Sequence, residues 1–224
     1  MTFHQEKQCA TLEGNIYADE QVWNTASFNK NRSGIIFALS APSGTGKTTV
    51  AQKVVQNIPG LIRSVSLNTR KKRSTEKDGI DYIFVSKEEF DNRIKEGYFI
   101  EYTEIYGAKR GTPKDALVQN QQKGIDTICV IEWHGVQTLK KLYGQSVVSI
   151  FLMPPSIGAL EKRLTLRNQD HINDIQQRLR HANDEVMYVK EYDYCVVNDR
   201  LAQCVFDVSS IIFAERHKTF RAKL

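Results

Sequence analysis

Residues 35–49 read IIFALSAPSGTGKTT, and no other stretch limits the fold of this chain so sharply. The apolar run 35–39 predicts a buried strand, followed by a loop of small residues over 40–46. From Lys47 to about Asn57 apolar residues recur at helical spacing, with Val50, Val54, Val55 and Ile58 on one face. Strand, small-residue loop and helix in that order are the setting of a phosphate-binding loop. The N–H groups of such a loop point inward and the new helix adds its positive dipole end, so phosphate oxygens meet fixed donors. Gly44 and Gly46 admit backbone angles and close approaches that a Cβ would block. Ala41 stands where the pattern usually begins with glycine, and alanine still permits the turn. Lys47 is placed to reach β- and γ-phosphates, and the Thr48 hydroxyl to ligate Mg²⁺. A glycine-rich turn without a ligand is the bland alternative, and it leaves the coincidence of strand, Gly-Lys-Thr and helix unexplained.

A chain of 224 residues accommodates one α/β core with small insertions. The formal net charge of +5 is mild and diffuse. It suits polyphosphate ligands and does not call for nucleic acid. No apolar run reaches the roughly 20 residues of a membrane span, and the N-terminus lacks a signal-peptide core, so no membrane partner is expected. The cysteines, Cys9, Cys129, Cys195 and Cys204, form no Cys-x-x-Cys pair. Cys129 and Cys195 lie in apolar runs and are expected to be buried, in a reducing, cytoplasmic setting.

Residues 1–33 are polar and weakly patterned, with Trp23 and Phe28 isolated, and read as a largely disordered extension. After the first helix, Pro59-Gly60 is a break and 61–67 reads as a strand. Asp78-Gly79 is a turn signal before a strand over 82–85. Ser86 with Glu89 forms a capping box that opens a helix to about Glu96, and 99–105 is a further strand. The block 65–112 therefore reads as an inserted subdomain of mixed α+β character. Thr112-Pro113 resembles a helix start, hydroxyl cap then proline, with the helix running to about Lys123. Strands over 127–131 and 147–152 flank a helix ending at Leu142, an alternation that predicts a parallel, doubly wound sheet. Residues 156–189 are helical and highly charged, with a break near 168–170 that suggests two helices. A last strand over 194–197 and a terminal helix from Leu201 to about Arg221 complete the chain. The core is thus 34–64, 113–155 and 190–224.

Three constellations carry chemistry. Arg70 and Arg73, three apart in a basic loop, can grip one phosphate with fork-like donors, and Tyr82 can add a hydroxyl. A solvated basic loop explains the same composition equally well. Glu132 ends an apolar strand, the place where doubly wound sheets bind ligands, and can hold Mg²⁺ directly or through water. Arg163 and Arg167 share a helix face, with Arg178 further on. Phosphoryl transfer needs such cations, yet on the residues alone intrahelical pairing with Glu161, Asp170 or Asp174 accounts for them better. His134 has no metal-ligand spacing, and the strip Trp133, Val136, Leu139 and Leu142 reads as core.

The stretches 40–49, Ser64-Val-Ser-Leu-Asn-Thr-Arg70 with Arg73, Asp78-Gly-Ile-Asp-Tyr82-Ile-Phe-Val85, Phe99-Ile-Glu101 and Tyr192-Asp-Tyr-Cys-Val-Val-Asn-Asp199 together resemble guanylate kinase. The resemblance spans most of the chain from Ile35 onward. It implies a P-loop nucleoside-monophosphate-kinase fold: a parallel-sheet α/β core, a GMP-binding subdomain over 65–112 and a helical lid over 156–189. It implies transfer of the ATP γ-phosphate to GMP or dGMP with Mg²⁺. ATP would be held by Ala41, Pro42, Ser43, Gly44, Thr45, Gly46, Lys47, Thr48, Thr49 and Asn198. GMP would be held by Ser66, Arg70, Arg73, Tyr82, Glu101, Arg110, Thr112 and Glu132. A carboxylate at Glu101 accepts from guanine N1–H and the 2-amino group together, which adenine does not offer. Mg²⁺ would rest on Thr48 and Glu132, with Lys47, Arg163, Arg167 and Arg178 as catalytic cations.

The sequence departs from the family's pattern in three places. Val130-Ile131-Glu132 replaces an Asp-x-Asp, Arg110 replaces a tyrosine, and Ser74-Thr75 replaces Pro-Gly. Two other readings compete: a non-catalytic interaction module of the same fold, which typically loses the phosphate loop kept here, and a sugar-phosphate kinase, against which Glu101 and Ser66 argue. A homodimer is compatible with the sequence.

Overall fold

The computed structural model describes residues 32–74, 76–105, 107–166 and 172–221. Of the expected extension only Arg32 and Ser33 fall among them, and Cys9, Trp23, Phe28, Arg167 and the 168–170 break lie outside.

A five-stranded sheet forms the core. Its strands are β1 (Ile36–Ser40), β2 (Leu61–Arg63), β7 (Asp126–Val130), β8 (Val147–Met153) and β9 (Tyr194–Val197), in the order β2-β7-β1-β8-β9. Every pairing is parallel. Parallel sheets need cover on both faces, which is why β1 is buried at each position and apolar from Ile36 to Leu39 rather than at alternate residues. Phe37 and Leu39 pack with Val50 and Val54 of α1 (Lys47–Asn57) and with Val208 and Ile212 of α7 (Leu201–Arg216). Ile36 and Ala38 face the other way, onto Leu117 of α3 (Lys114–Gln122) and Val136 and Leu139 of α4 (Trp133–Tyr143).

A second, four-stranded sheet follows the order β4-β3-β6-β5, with β3 (Leu67–Asn68), β4 (Ile83–Phe84), β5 (Phe99–Ile105) and β6 (Ala108–Pro113). It is mixed: β3 pairs parallel with β4, while β6 pairs antiparallel with both β3 and β5. The helix α2 (Lys87–Lys95) is capped as expected, the Ser86 hydroxyl accepting from Glu89 N. The stretch expected to form a lid holds the helices α5 (Ile157–Leu166) and α6 (Ile172–Met187), with a small core of their own at Leu160, Leu164 and Ala182.

Several expectations are corrected. The single strand over 61–67 is two strands in two sheets. Ser64 N still donates to Ile128 O in the core, whereas Ser66 O already accepts from Ile83 N in the second sheet. Thr112-Pro113 also ends β6, and α3 starts one residue later than expected with Pro113 at its N-cap and no side-chain cap, because the Thr112 hydroxyl is drawn inward to Glu101. Cys195 is exposed while Cys129 and Cys204 are buried. It lies on the edge strand β9, where Val196 turns to the core and Cys195 turns away. Leu142 is 59% exposed, at the last turn of α4 beyond the buried stripe.

At the end of the sheet remote from the phosphate loop, Asp126 is fully buried and receives Arg32 Nη1 and Nη2 at 2.6 and 2.7 Å, Arg216 Nε at 2.7 Å and Ile35 N at 2.8 Å. One carboxylate thus joins the start of the described chain, β7 and the terminal helix.

Candidate active site

The loop between β1 and α1 curls as the sequence requires. Gly44 and Gly46 have φ of 93° and 100°, in the left-handed region that disfavours a side chain. A Cβ on Gly44 would come within 2.8 Å of Leu164, so the lid helix α5 seats directly on the loop. A Cβ on Gly46 would come within 2.9 Å of the Asn198 amide. That amide donates to Thr45 O at 2.6 Å, so Asn198 is buried behind the loop as its brace. Lys47 folds back across the loop, its ammonium donating to Ala41 O and standing 3.9 Å from Glu132 Oε1. Pro42, Ser43, Gly44, Gly46, Lys47, Thr48 and Thr49 line one wall of a cavity of about 1600 Å³.

The facing wall is the mixed sheet with its loops, where Arg70, Arg73, Tyr82 and Arg110 line the same cavity. Arg70 lies 5.2 Å from the Tyr82 ring centroid and 5.5 Å from that of Phe84. Arg110 donates to Val130 O at 2.7 Å and stands 3.7 Å from Glu132 Oε1. Gln52 of α1 donates to Asp81 Oδ1 at 2.7 Å, tying this subdomain to the helix that follows the phosphate loop. Glu101 takes the Thr112 hydroxyl at 2.5 Å. Burial pushes the Glu101 carboxyl above its usual range, against the pull of Thr112 and Arg110. Ser66 and Thr112 are buried, and with Glu101 they lie behind the cavity wall rather than on it.

Glu132 caps the floor between the walls. Burial opposes its ionisation, but the positive charges of Lys47 and Arg110 prevail and hold it below the usual carboxylate range. Glu185 reaches it from α6, and burial together with the hydrogen bond to Glu132 raises the Glu185 carboxyl. The two carboxyls are thus driven apart, Glu132 toward the anion and Glu185 toward the acid. Among the described residues no group of three or more His, Cys, Asp or Glu is poised to hold a metal. A cation here would rest on Thr48 and Glu132, hard oxygen donors of the kind Mg²⁺ takes, with phosphate oxygens and water completing the shell.

The lid contributes unequally. Arg178 Nη1 is 3.4 Å from Ser43 Oγ and lines the cavity. Arg163 donates to Asn198 O at 2.9 Å and to Asp199 O at 3.3 Å, tying α5 to the end of β9 outside that wall. The intrahelical pairing weighed for Arg163 is therefore replaced by a tie to the core. Trp133, expected in the core, lines the cavity and stacks on Tyr188 at 4.2 Å. Exposed His134 adjoins it on the wall.

Sequence reasoning passed over three residues. Glu185 lies in the highly charged 156–189 stretch with no spacing that singles it out. Glu76 lies in the basic loop with nothing in the sequence to mark its partners. Gly135 carries no chemistry, yet a Cβ there would come within 2.9 Å of Glu101 Oε2, so its bareness makes room for that carboxylate.

A phosphate loop beneath two helices, facing a second sheet that carries an arginine cluster, defines a P-loop nucleoside-monophosphate-kinase architecture. The family model described as guanylate kinase matches residues 33–215. The guanylate kinase of Maricaulis maris is 40% identical over 194 residues, covering 87% of this chain and 89% of that protein. That of Rhodopseudomonas palustris is 42% identical over 190 residues, covering 85% and 86%. The crystal structure of guanylate kinase from Anaplasma phagocytophilum superposes with a TM-score of 0.73 at 37% identity, covering 85% of this chain and 90% of that one. The chain belongs to the guanylate kinase family.

Proposed function

We propose that this chain transfers the γ-phosphate of ATP to GMP or dGMP, giving ADP and GDP or dGDP. The observation that carries the reading is one cavity lined on one side by the phosphate loop with Lys47 and on the other by the Arg70, Arg73 and Tyr82 cluster. An ATP hydrolase would need only the first wall.

The chemistry asks for positioning and charge, not for a strong base. The backbone donors of 41–49 hold the donor phosphates, and Asn198 keeps that loop in shape from behind. Arg70, Arg73 and Tyr82 hold the acceptor phosphate. Lys47 leaves the Ala41 carbonyl for the transferring group, and Arg178 meets the same group from the lid, both compensating charge that spreads over its oxygens. Glu132, kept ionised by its two cationic neighbours, and the Thr48 hydroxyl would hold Mg²⁺. When bound, that ion neutralises charge on the phosphates. Glu101 reads guanine through its two acceptor oxygens, with Ser66 and Thr112 beside it, once the subdomain shifts to bring it to the ligand. Arg110 stands between the acceptor site and Glu132 and draws the acceptor phosphate toward the donor side. Arg163 fixes the lid to the Asn198 turn. Arg167 belongs to the same lid by sequence.

Isothermal titration of GMP and of MgATP, separately and together, tests the two-wall reading. Two independent sites are expected. Binding of MgATP alone would contradict it.

A further inference from the structure

The loop after β3 carries a carboxylate that the mechanism above does not use. Glu76 takes Arg70 Nη1 on one oxygen at 2.7 Å and Arg70 Nη2 on the other at 2.5 Å. The same carboxylate accepts the Arg73 backbone N–H at 2.9 Å and lies 3.9 Å from Arg73 Nη1. Its side chain is 13% exposed, which sets it apart from an ordinary surface ion pair. The arginine donors outweigh burial and keep the carboxyl below its usual range, so it is a permanent anion at neutral pH.

The hydrogen count on Arg70 decides what that anion does. A guanidinium has five N–H donors. Glu76 fills the end-on fork of Nη1 and Nη2, and the Lys71 carbonyl takes the other Nη1 hydrogen at 2.9 Å. The Tyr82 and Phe84 rings flank the group. What is left is the side fork, Nε–H with the second Nη2 hydrogen, which takes no protein acceptor among the described residues. Arg70, Arg73, Glu76 and Tyr82 all line the cavity. A phosphomonoester can thus be gripped by two parallel bonds from the side fork while Glu76 keeps the end fork.

We propose that Glu76 is the positioning residue of the acceptor-phosphate site, holding Arg70 edge-on to the cavity and fixing the 70–76 loop that presents Arg73. This holds only if the Arg70 cluster is the acceptor-phosphate site, as proposed above. The opposite geometry, Glu76 sitting in the phosphate's own seat, would make its removal strengthen GMP binding, so the two differ in sign.

Steady-state kinetics on the full chain, with MgATP saturating, compare wild type, Glu76→Gln and Glu76→Asp. Loss of one charge-assisted grip predicts a KM for GMP raised by about 10-fold or more in Glu76→Gln, with kcat within about 3-fold. Glu76→Asp keeps the charge and recovers part of that loss. Inhibition by guanosine, which has no phosphate, and the KM for ATP stay at wild-type values in both variants, which a general loosening of the subdomain would not allow. An unchanged or lowered KM for GMP with normal wild-type turnover overturns the role of Glu76 alone. Absence of GMP-dependent ADP release by wild type overturns the acceptor assignment and this role with it.

Discussion

In the proposed phosphotransfer, Lys47 supplies charge and Glu101 recognition, and each can be removed separately. Lys47→Ala deletes the ammonium that must reach the transferring phosphoryl group while leaving the loop backbone intact. A fall in kcat of about 10³-fold is expected in an ADP-release assay. Glu101→Gln replaces one acceptor by a donor that opposes guanine N–H groups, and a loss of about 10²-fold in kcat/KM for GMP is expected. The same change should keep or raise the melting temperature, because burial makes the ionised Glu101 costly in the folded state. The pH dependence follows with a definite sign. Glu101 must be ionised to accept, and its carboxyl is raised, so the KM for GMP climbs as pH falls and begins to climb above the range of an ordinary glutamate. A KM for GMP flat down to that ordinary range would contradict the role. The phosphate-loop conformation was legible because Gly44 and Gly46 are the residue types its left-handed backbone requires. Glu76 was not, because an i,i+6 ion pair in a basic run looks the same as a solvated loop until the loop folds back on itself.

At the scale of elements, what local chemistry determines was readable and what tertiary pairing determines was not. The span of α1 was read directly from its apolar stripe, and β5 falls on the expected 99–105 strand. The start of α2 was read from its capping box. Ser86→Ala removes that cap and should cost about 1 kcal/mol in denaturant unfolding with kinetics unchanged. The strand β6 has the sequence AKRGTP, with little to mark it as a strand, and exists because β3 and β5 flank it. Gly111 in β6 is required by contact, since a Cβ there would come within 2.6 Å of the Phe99 ring. The split of 61–67 between two sheets was equally invisible, because both halves carry apolar residues and only the partners differ.

For the whole molecule, the sheet separates a structural end from a chemical end. Asp126 opens β7 and Glu132 follows its close, so the two carboxylates mark opposite ends of one strand. Asp126→Ala would strand the buried guanidinium of Arg32 and free that of Arg216, and a loss of about 3 kcal/mol in unfolding free energy is expected with unaltered KM values. The chemical end is where three bodies converge, the core through Lys47 and Glu132, the inserted sheet through Arg70 and Arg110, and the lid through Arg178 and Glu185. That convergence is what a two-substrate phosphotransferase requires, and its most direct test is acceptor choice. ADP release from MgATP should depend on added GMP, proceed with dGMP, and exceed the rate with AMP by about 10²-fold in kcat/KM. ADP release that is indifferent to GMP, or equal with AMP, would contradict the account.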